Sequence, residues 1–247
     1  MKVLINGVNG KMGHVLLEEI NKLDDIEVVA GVSKSSSNLN IPVYIEPKDI
    51  KEKIDVIIDF STPEGSLNIL EYAKDNKIPT VIATTGFTKE QQDKILEYSK
   101  TIPVFQSSNM SFEINLMCDI VAKLAKQLTN SDIEIIETHH RNKVDAPSGT
   151  ALMLANSINE NNEYDYVYDR HSIKQKRTDR EIGISSIRGG TEVGKHTVYF
   201  FGDNESFEIT HTVTSRSIFA KGAIKAAEYL INQKKGFYNM KDLIKGD

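Results

Sequence analysis

The chain has 247 residues, 39% of them apolar, with a single cysteine and a formal net charge of −5. That is enough apolar chain for one large domain or two modest ones. The acidic balance argues against a nucleic-acid partner, and a lone thiol excludes an internal disulfide and fits a reducing cytoplasm. No apolar run approaches the ~20 residues that span a bilayer, the N-terminus opens as a strand rather than a secretory leader, and no Cys/His cluster has zinc-ligand spacing, so neither a membrane partner nor a metal is expected.

Lys2-Val3-Leu4-Ile5 reads as a short apolar strand running straight into Asn6-Gly7-Val8-Asn9-Gly10-Lys11-Met12-Gly13. Met12, Leu16, Ile20 and Leu23 then recur at helical spacing. The predicted order is strand, glycine turn, helix. The glycines fall as G-x-x-G-x-x-G rather than G-x-G-x-x-G; either form lets the chain turn tightly and bring backbone N–H groups to a pyrophosphate. Many turns share such a pattern, and its place directly after a buried strand is what makes it a nucleotide signal. Gly7, Val8, Asn9, Gly10, Lys11 and Met12 are the expected cradle. A second strand, Ile26 to Val32, leads to Ser33-Lys34-Ser35-Ser36-Ser37. An NAD-selective site often has an acid about 20 residues past the glycines; here Ser33 and Lys34 stand there instead. A cation among hydroxyls suits a 2′-phosphate better than a bare ribose diol, which points to NADPH, or to use of both NADPH and NADH. The plainer reading is a solvated polar loop.

Residues 54–60 form a strand buried on both faces, followed through Ser61-Thr62-Pro63-Glu64 by a helix towards Asn76. The strand Thr80–Ala83 ends in Thr84-Thr85-Gly86-Phe87, and Pro103–Gln106 ends in Ser107-Ser108-Asn109-Met110-Ser111. Strand and helix alternate over residues 1–110, which predicts a Rossmann-type doubly wound parallel sheet. Ligands lie outside the carboxyl ends of such strands. Ala83, Thr84, Thr85, Ser107, Ser108, Asn109 and Met110 are therefore expected on the nicotinamide side, in addition to any duty as helix caps.

A helix from about residue 111 through Leu128 carries Cys118 as buried filler. Ile133, Ile135 and Ile136 then lead as a strand into Glu137-Thr138-His139-His140-Arg141-Asn142-Lys143-Val144-Asp145-Ala146-Pro147-Ser148-Gly149-Thr150-Ala151. Strand side chains alternate faces, so Glu137 shares a face with His139 while His140 points away. Histidine is the natural proton donor near neutral pH, and Lys143 is a compact cation for a carboxylate or a developing anion. Pro147 suits a first helical turn. Ser148, Gly149 and Thr150 would leave N–H groups at a helix start, where an anion binds, and Gly149 permits close approach. Each feature alone has an ordinary structural reading, a surface histidine or a helix cap. Together they describe a pocket for a small carboxylate that receives a proton.

After the helix from Ser148 and a polar loop at Asn159–Asn162 come the strand-like runs Ile182–Ile187, His196–Phe201 and Phe207–Val213. They are separated by Gly189-Gly190 and Gly202-Asp203-Asn204, the pattern of an antiparallel or mixed sheet. From Ser217 a helix with Ile224, Ala227 and Ile231 on one face is expected to return to the first domain. The predicted organisation is a dinucleotide-binding domain over 1–110, a mixed-sheet α+β domain over 111–216, and a C-terminal helix over 217–247.

The run Glu137 to Ala151 resembles the E-[AT]-H-H-x-x-K-x-D-A-P-S-G-T-A signature of the dihydrodipicolinate reductases. The glycine turn (Gly7, Gly10, Met12, Gly13), the loops Thr84–Phe87 and Ser108–Ser111, and the runs Ile187–Gly190 and Ile209–His211 extend the resemblance over essentially the whole chain. It implies NAD(P)H-dependent reduction of 4-hydroxy-tetrahydrodipicolinate in the diaminopimelate route to lysine. It also implies that the second domain, 111–216, serves substrate binding and oligomerisation, with a homotetramer in which the second-domain sheets pack together. On this resemblance His139 and Lys143 match the catalytic histidine and lysine, and His140, Gly149 and Thr150 match substrate-binding positions. Which of His139 and Lys143 delivers the proton stays open, as does the choice of cofactor, because some relatives carry Glu-Arg where Ser33-Lys34 stands. A dehydrogenase of an open-chain amino or keto dicarboxylate would share the cofactor domain and the anion pocket. A non-catalytic redox sensor would share the cofactor domain alone. Neither needs adjacent histidines beside Lys143 and a helix start.

Overall fold

The structure, a computed structural model, describes residues 1–35 and 38–246; Ser36 and Ser37, the end of the hydroxyl run, lie outside the described residues. The chain divides into two units, Met1–Phe112 with Arg216–Asp247, and Glu113–Ser215.

The first unit is built on β1 (Lys2–Asn6), α1 (Lys11–Ile20), β2 (Glu27–Val32), β3 (Val43–Tyr44), β4 (Val56–Asp59), α2 (Pro63–Asn76), β5 (Thr80–Ile82), α3 (Lys89–Ser99) and β6 (Pro103–Gln106). Later in the chain come α6 (Ser217–Leu230), β12 (Gly236–Tyr238) and α7 (Met240–Lys245). Its sheet has the order β12-β6-β5-β4-β1-β2-β3, with every pair parallel. The alternation of strand side chains explains why helices cover both faces. Val3, Ile5, Val56 and Ile58 face one way and pack with Leu16 and Ile20 of α1 and with Ala220, Ala223 and Ala227 of α6. Leu4, Ile57 and Ile82 face the other way and pack with Ile69, Leu70 and Ala73 of α2 and Ile95 of α3. The return of α6 thus completes one face of the sheet. Leu23 does not extend α1: it lies past the last helical residue and is 42% exposed, as Ile231 lies past α6 at 40%.

The second unit takes α4 (Phe112–Gln127, but for its first residue), β7 (Asp132–His139), α5 (Gly149–Ile158), β8 (Asp165–Val167), β9 (Glu181–Arg188), β10 (Gly194–Gly202) and β11 (Glu205–Val213). The sheet order is β11-β10-β7-β9-β8, antiparallel between β10 and its two neighbours and parallel from β7 to β8, so it is mixed. A two-residue turn with Asn204 at φ 62° closes the β10–β11 hairpin, the left-handed geometry that Asn tolerates. One face packs Ile133, Ile135, Ile182, Ile184, Val198 and Phe200 against Met117 and Val121 of α4 and Leu154 and Ala155 of α5. Among the described residues no helix is long and apolar enough to cross a membrane, and no group of three or more His, Cys, Asp or Glu is placed to hold a metal.

Within the first unit, α6 sits directly on the Met110 backbone at Gly222, where an added Cβ would overlap the Met110 carbonyl oxygen. Gly222→Ala gains about 1 kcal/mol of helix propensity, but it forces the helix off a backbone that cannot yield, which costs about 1–3 kcal/mol or more. The clash outweighs the gain, so urea denaturation is expected to give a lower midpoint for the variant; an unchanged or raised midpoint contradicts this packing.

Candidate active site

Register carries the apolar face of the second sheet into a polar patch. Along β7 the inward positions run Ile133, Ile135, Glu137, His139, all buried. Glu137 pairs across β10 with His196 and across β9 with Ser186, and His139 pairs with Arg188. The row of functional groups is therefore the continuation of the core row, one strand repeat further along.

Glu137 is fully buried and every oxygen is engaged. Arg188 grips it with a fork, Nη2 donating to Oε1 at 2.7 Å and Nη1 to Oε2 at 2.8 Å. The Ser148 N–H donates to Oε1 at 3.2 Å. His139 Nδ1 lies 2.5 Å from Oε2. Burial alone would raise this carboxyl, but the bonds from Arg188, Ser186 and His139 outweigh it and hold it down at about 2. An ionised carboxylate only accepts, so His139 must present Nδ1–H to it. That leaves Nε2 as the nitrogen that exchanges a proton with anything else.

Past His139 the chain turns. His140 is half-buried, its Nδ1 enclosed without a hydrogen-bond partner. Its carbonyl accepts from Lys143 N–H at 3.1 Å. Lys143 Nζ lies 2.8 Å from Asp145 Oδ1 and holds that carboxyl below its ordinary range. Arg188 also donates to the Asp145 carbonyl at 2.7 Å, tying the turn to β9. Ser148 is the N-cap of α5, its Oγ accepting from Ala151 N–H at 3.2 Å. Two expectations change here. Pro147 precedes the cap and lies outside the helix, joined to Ala146 by a cis peptide. The Ser148 N–H is not open to a ligand, because Glu137 already takes it. Gly149 keeps its open side: a Cβ there would meet nothing within 4 Å.

The first unit offers two cavities at the carboxyl ends of its strands. One, of about 430 Å³, is lined by Gly7, Asn9, Gly10, Ser33, Lys34 and Ser61 among others. The other, of about 330 Å³, is lined by Thr84, Thr85, Gly86, Ser107 and Ser108 among others. Gly7 has φ +83°, and a Cβ on it would come within 2.5 Å of the Phe60 carbonyl oxygen. Only glycine fits this turn. Asn9 reaches across to the Ser35 carbonyl at 2.9 Å and leaves its Oδ1 buried without a protein partner. A tight glycine turn and an unsatisfied acceptor at the sheet's carboxyl edge fit a dinucleotide. Asn6 and Ser61 on the wall of one cavity and Thr84 on the wall of the other all bond Asp59, which is fully buried and pushed up by that burial, with opposing hydrogen bonds from Ser61, Ser66, Thr84 and Asn6. It ties the ends of β1, β4 and β5 together. Of the remaining expected cradle residues, Val8 and Met110 turn their side chains into the core. Met12 and Ala83 are half-buried against that core, Lys11 is exposed, and Asn109 caps the loop through Ser111 N–H at 2.9 Å.

Residues 1–110 match the N-terminal part of dihydrodipicolinate reductase and residues 113–244 its C-terminal part. The chain belongs to the dihydrodipicolinate reductase family. The 4-hydroxy-tetrahydrodipicolinate reductase of Caldanaerobacter subterraneus is 48% identical over 247 residues, spanning 99% of this chain and 98% of that protein. The one from Clostridium novyi is 46% identical over 248 residues, again spanning 99% and 98%. A dipicolinate-bound dihydrodipicolinate reductase from Paenisporosarcina sp. TG-14 superposes with a TM-score of 0.83 at 25% identity, covering 97% of each chain.

The structure brings Glu137, His139 and Ser148 together, and Lys143 onto the turn that Arg188 secures. Sequence reasoning missed Arg188 and His196 as members of this cluster. Each sits on a different strand, and only strand pairing makes them neighbours of Glu137; the conspicuous signal was an arginine and a histidine on otherwise sheet-like runs.

Removing Arg188 leaves a buried, unpaired carboxylate, a change that costs on the order of 3–5 kcal/mol. The native state keeps the Glu137 carboxyl at about 2, against about 4.3 when unfolded. The native state thus binds fewer protons, and this stabilisation is complete above about pH 4.3 and lost as pH falls towards 2. Arg188→Gln is expected to show its largest thermal-midpoint deficit near neutral pH, narrowing through that acid range. A deficit that does not change with pH contradicts the pairing.

Proposed function

We propose that this chain reduces 4-hydroxy-tetrahydrodipicolinate to tetrahydrodipicolinate with NADPH or NADH, in diaminopimelate and lysine biosynthesis in the cytoplasm. The observation that carries the reading is the buried Arg188–Glu137–His139 arrangement beside the start of α5, in a chain of this family. The product lacks the substrate's hydroxyl, so one hydride and one proton enter and one water leaves.

The nicotinamide cofactor, when bound, supplies the hydride. The residues of the chain do the rest. Glu137 fixes the His139 ring by its Nδ1–H; Nε2 takes up a second proton from solvent, giving the imidazolium that the carboxylate stabilises, and passes it to the developing negative charge. Lys143 and the start of α5, through Gly149, Thr150 and the Ser148 hydroxyl rather than its committed N–H, hold the substrate carboxylate, with the helix dipole adding to the attraction. His140, with an unpartnered Nδ1, orients the ring. Lys34 and Ser33 on the wall of the larger cavity favour the 2′-phosphate of NADPH while leaving NADH admissible. The homotetramer forms through the far face of the second sheet, where Tyr199 and Phe201 stack at 5.3 Å and Phe201 and Ile187 are 43% and 51% exposed.

The experiment is a coupled assay that generates the unstable substrate in place and follows oxidation of NADPH and of NADH. His139→Gln is expected to lower kcat by about 10²–10⁴-fold with cofactor binding unchanged. Lys143→Ala is expected to lower kcat and raise KM. Near-normal rates in both variants, or no oxidation by the unsubstituted protein, contradict the assignment.

A further inference from the structure

One buried histidine of the second unit has no part in the reaction outlined above. His196 lies on β10 opposite Glu137 and is 3% exposed. Its ring meets that of His139 edge to face, with centroids 5.1 Å apart and planes at 73°. Its Nε2 lies 3.0 Å from Ser148 Oγ, and its Nδ1 is buried with no hydrogen-bond partner. These contacts close a circuit. Glu137 holds His139 Nδ1, the two imidazoles touch, His196 holds Ser148 Oγ, and the Ser148 N–H returns to Glu137.

Proton placement follows from the inventory of each group. Burial, reinforced by the neighbouring His139, pushes His196 down to about 4, so at neutral pH the ring is uncharged and carries one proton. On Nδ1 that proton would be a buried donor with no acceptor, the rarer kind of defect. On Nε2 it is given to Ser148 Oγ, which has two lone pairs; Ala151 N–H takes the other. The start of α5 is thereby pinned from two sides. Two residues before His196 on β10, residue 194 is glycine, and a Cβ there would crowd the His139 ring at 3.2 Å from Nε2. Among the described residues, His196 is the one ring packed against the His139 imidazole.

We propose that His196 is a positioning residue with two separable arms. Its Nε2 fixes the start of α5, where the substrate carboxylate is received, and its ring fixes the plane of the His139 imidazole. The proposal rests on the substrate reading given above. A merely structural histidine would lose both properties together, in proportion to lost stability.

The test uses the full chain and dipicolinate, a stable dicarboxylate, as the binding probe, with NADPH affinity and thermal midpoint measured alongside. His196→Phe keeps a ring against His139 and removes the bond to Ser148. It is expected to raise dipicolinate Kd and substrate KM about tenfold, with kcat within about threefold. His196→Gln places an amide nitrogen near the old Nε2 and removes the ring. It is expected to lower kcat about tenfold or more, with dipicolinate Kd nearly unchanged. Should His196→Phe fail to fold, His196→Gln alone decides the ring arm: a fall in kcat with dipicolinate Kd kept supports the proposal, and equal losses of both overturn it. Equal losses of Kd and kcat in both variants, or no loss in either, overturn the proposal while leaving the substrate reading intact. An unsubstituted protein that neither binds dipicolinate nor turns over overturns that reading and the proposal with it.

Discussion

The Glu137 carboxylate is the constraint on which the rest of the second unit's chemistry depends. It is wholly buried, so its charge must be met inside the protein. Arg188 supplies the counter-charge through a two-pronged contact, the Ser148 N–H supplies a third donor and His139 a fourth. One group thereby sets three things: the tautomer of His139, the position of the start of α5, and the anchoring of the turn that carries Lys143. An apolar residue at 137 would suit the core row better by area alone. Its replacement by a carboxylate makes sense only as a device that spends stability on orientation.

The first unit also contains a buried carboxylate, but solves its charge differently. Among the described residues no cation pairs with Asp59; hydroxyls of Ser61, Ser66 and Thr84 and the Asn6 amide surround it instead. Asn6, Ser61 and Thr84 come from the ends of three neighbouring strands and Ser66 from the first turn of α2, so their convergence fixes the edge on which the glycine turn and the Thr84 loop stand. Neutral donors hold the carboxylate without adding a charge of either sign. At Glu137 the donors instead include a guanidinium and an imidazole.

Much of this was legible in the sequence. Unbroken apolar runs such as Val56-Ile57-Ile58 announced strands covered on both faces, and the alternation Ile133, Ile135, Glu137, His139 announced which side chains share a face. The glycine turn and the loops after β5 and β6 followed from the parallel order. What stayed hidden depended on pairing between distant strands. Arg188 and His196 reach Glu137 only through the registers of β9 and β10, and nothing local to either run encodes that meeting. The short strands β3, β8 and β12, of two or three residues, were also beyond periodicity, which needs a longer window to register. Pro147 was misplaced for a related reason: the cap is decided by the Ser148 hydroxyl and its bond to Ala151, not by where proline is tolerated.

The central claim is that an ionised Glu137 keeps the His139 proton on Nδ1 and leaves Nε2 for exchange. Heteronuclear NMR of isotopically labelled histidine side chains reads this directly, with the His139 ring assigned by its absence from a variant lacking it. The account predicts a proton on His139 Nδ1 throughout the neutral range, hydrogen-bonded to the carboxylate. A His139 ring whose Nδ1 is a bare acceptor at neutral pH, with its only proton on Nε2, would contradict it.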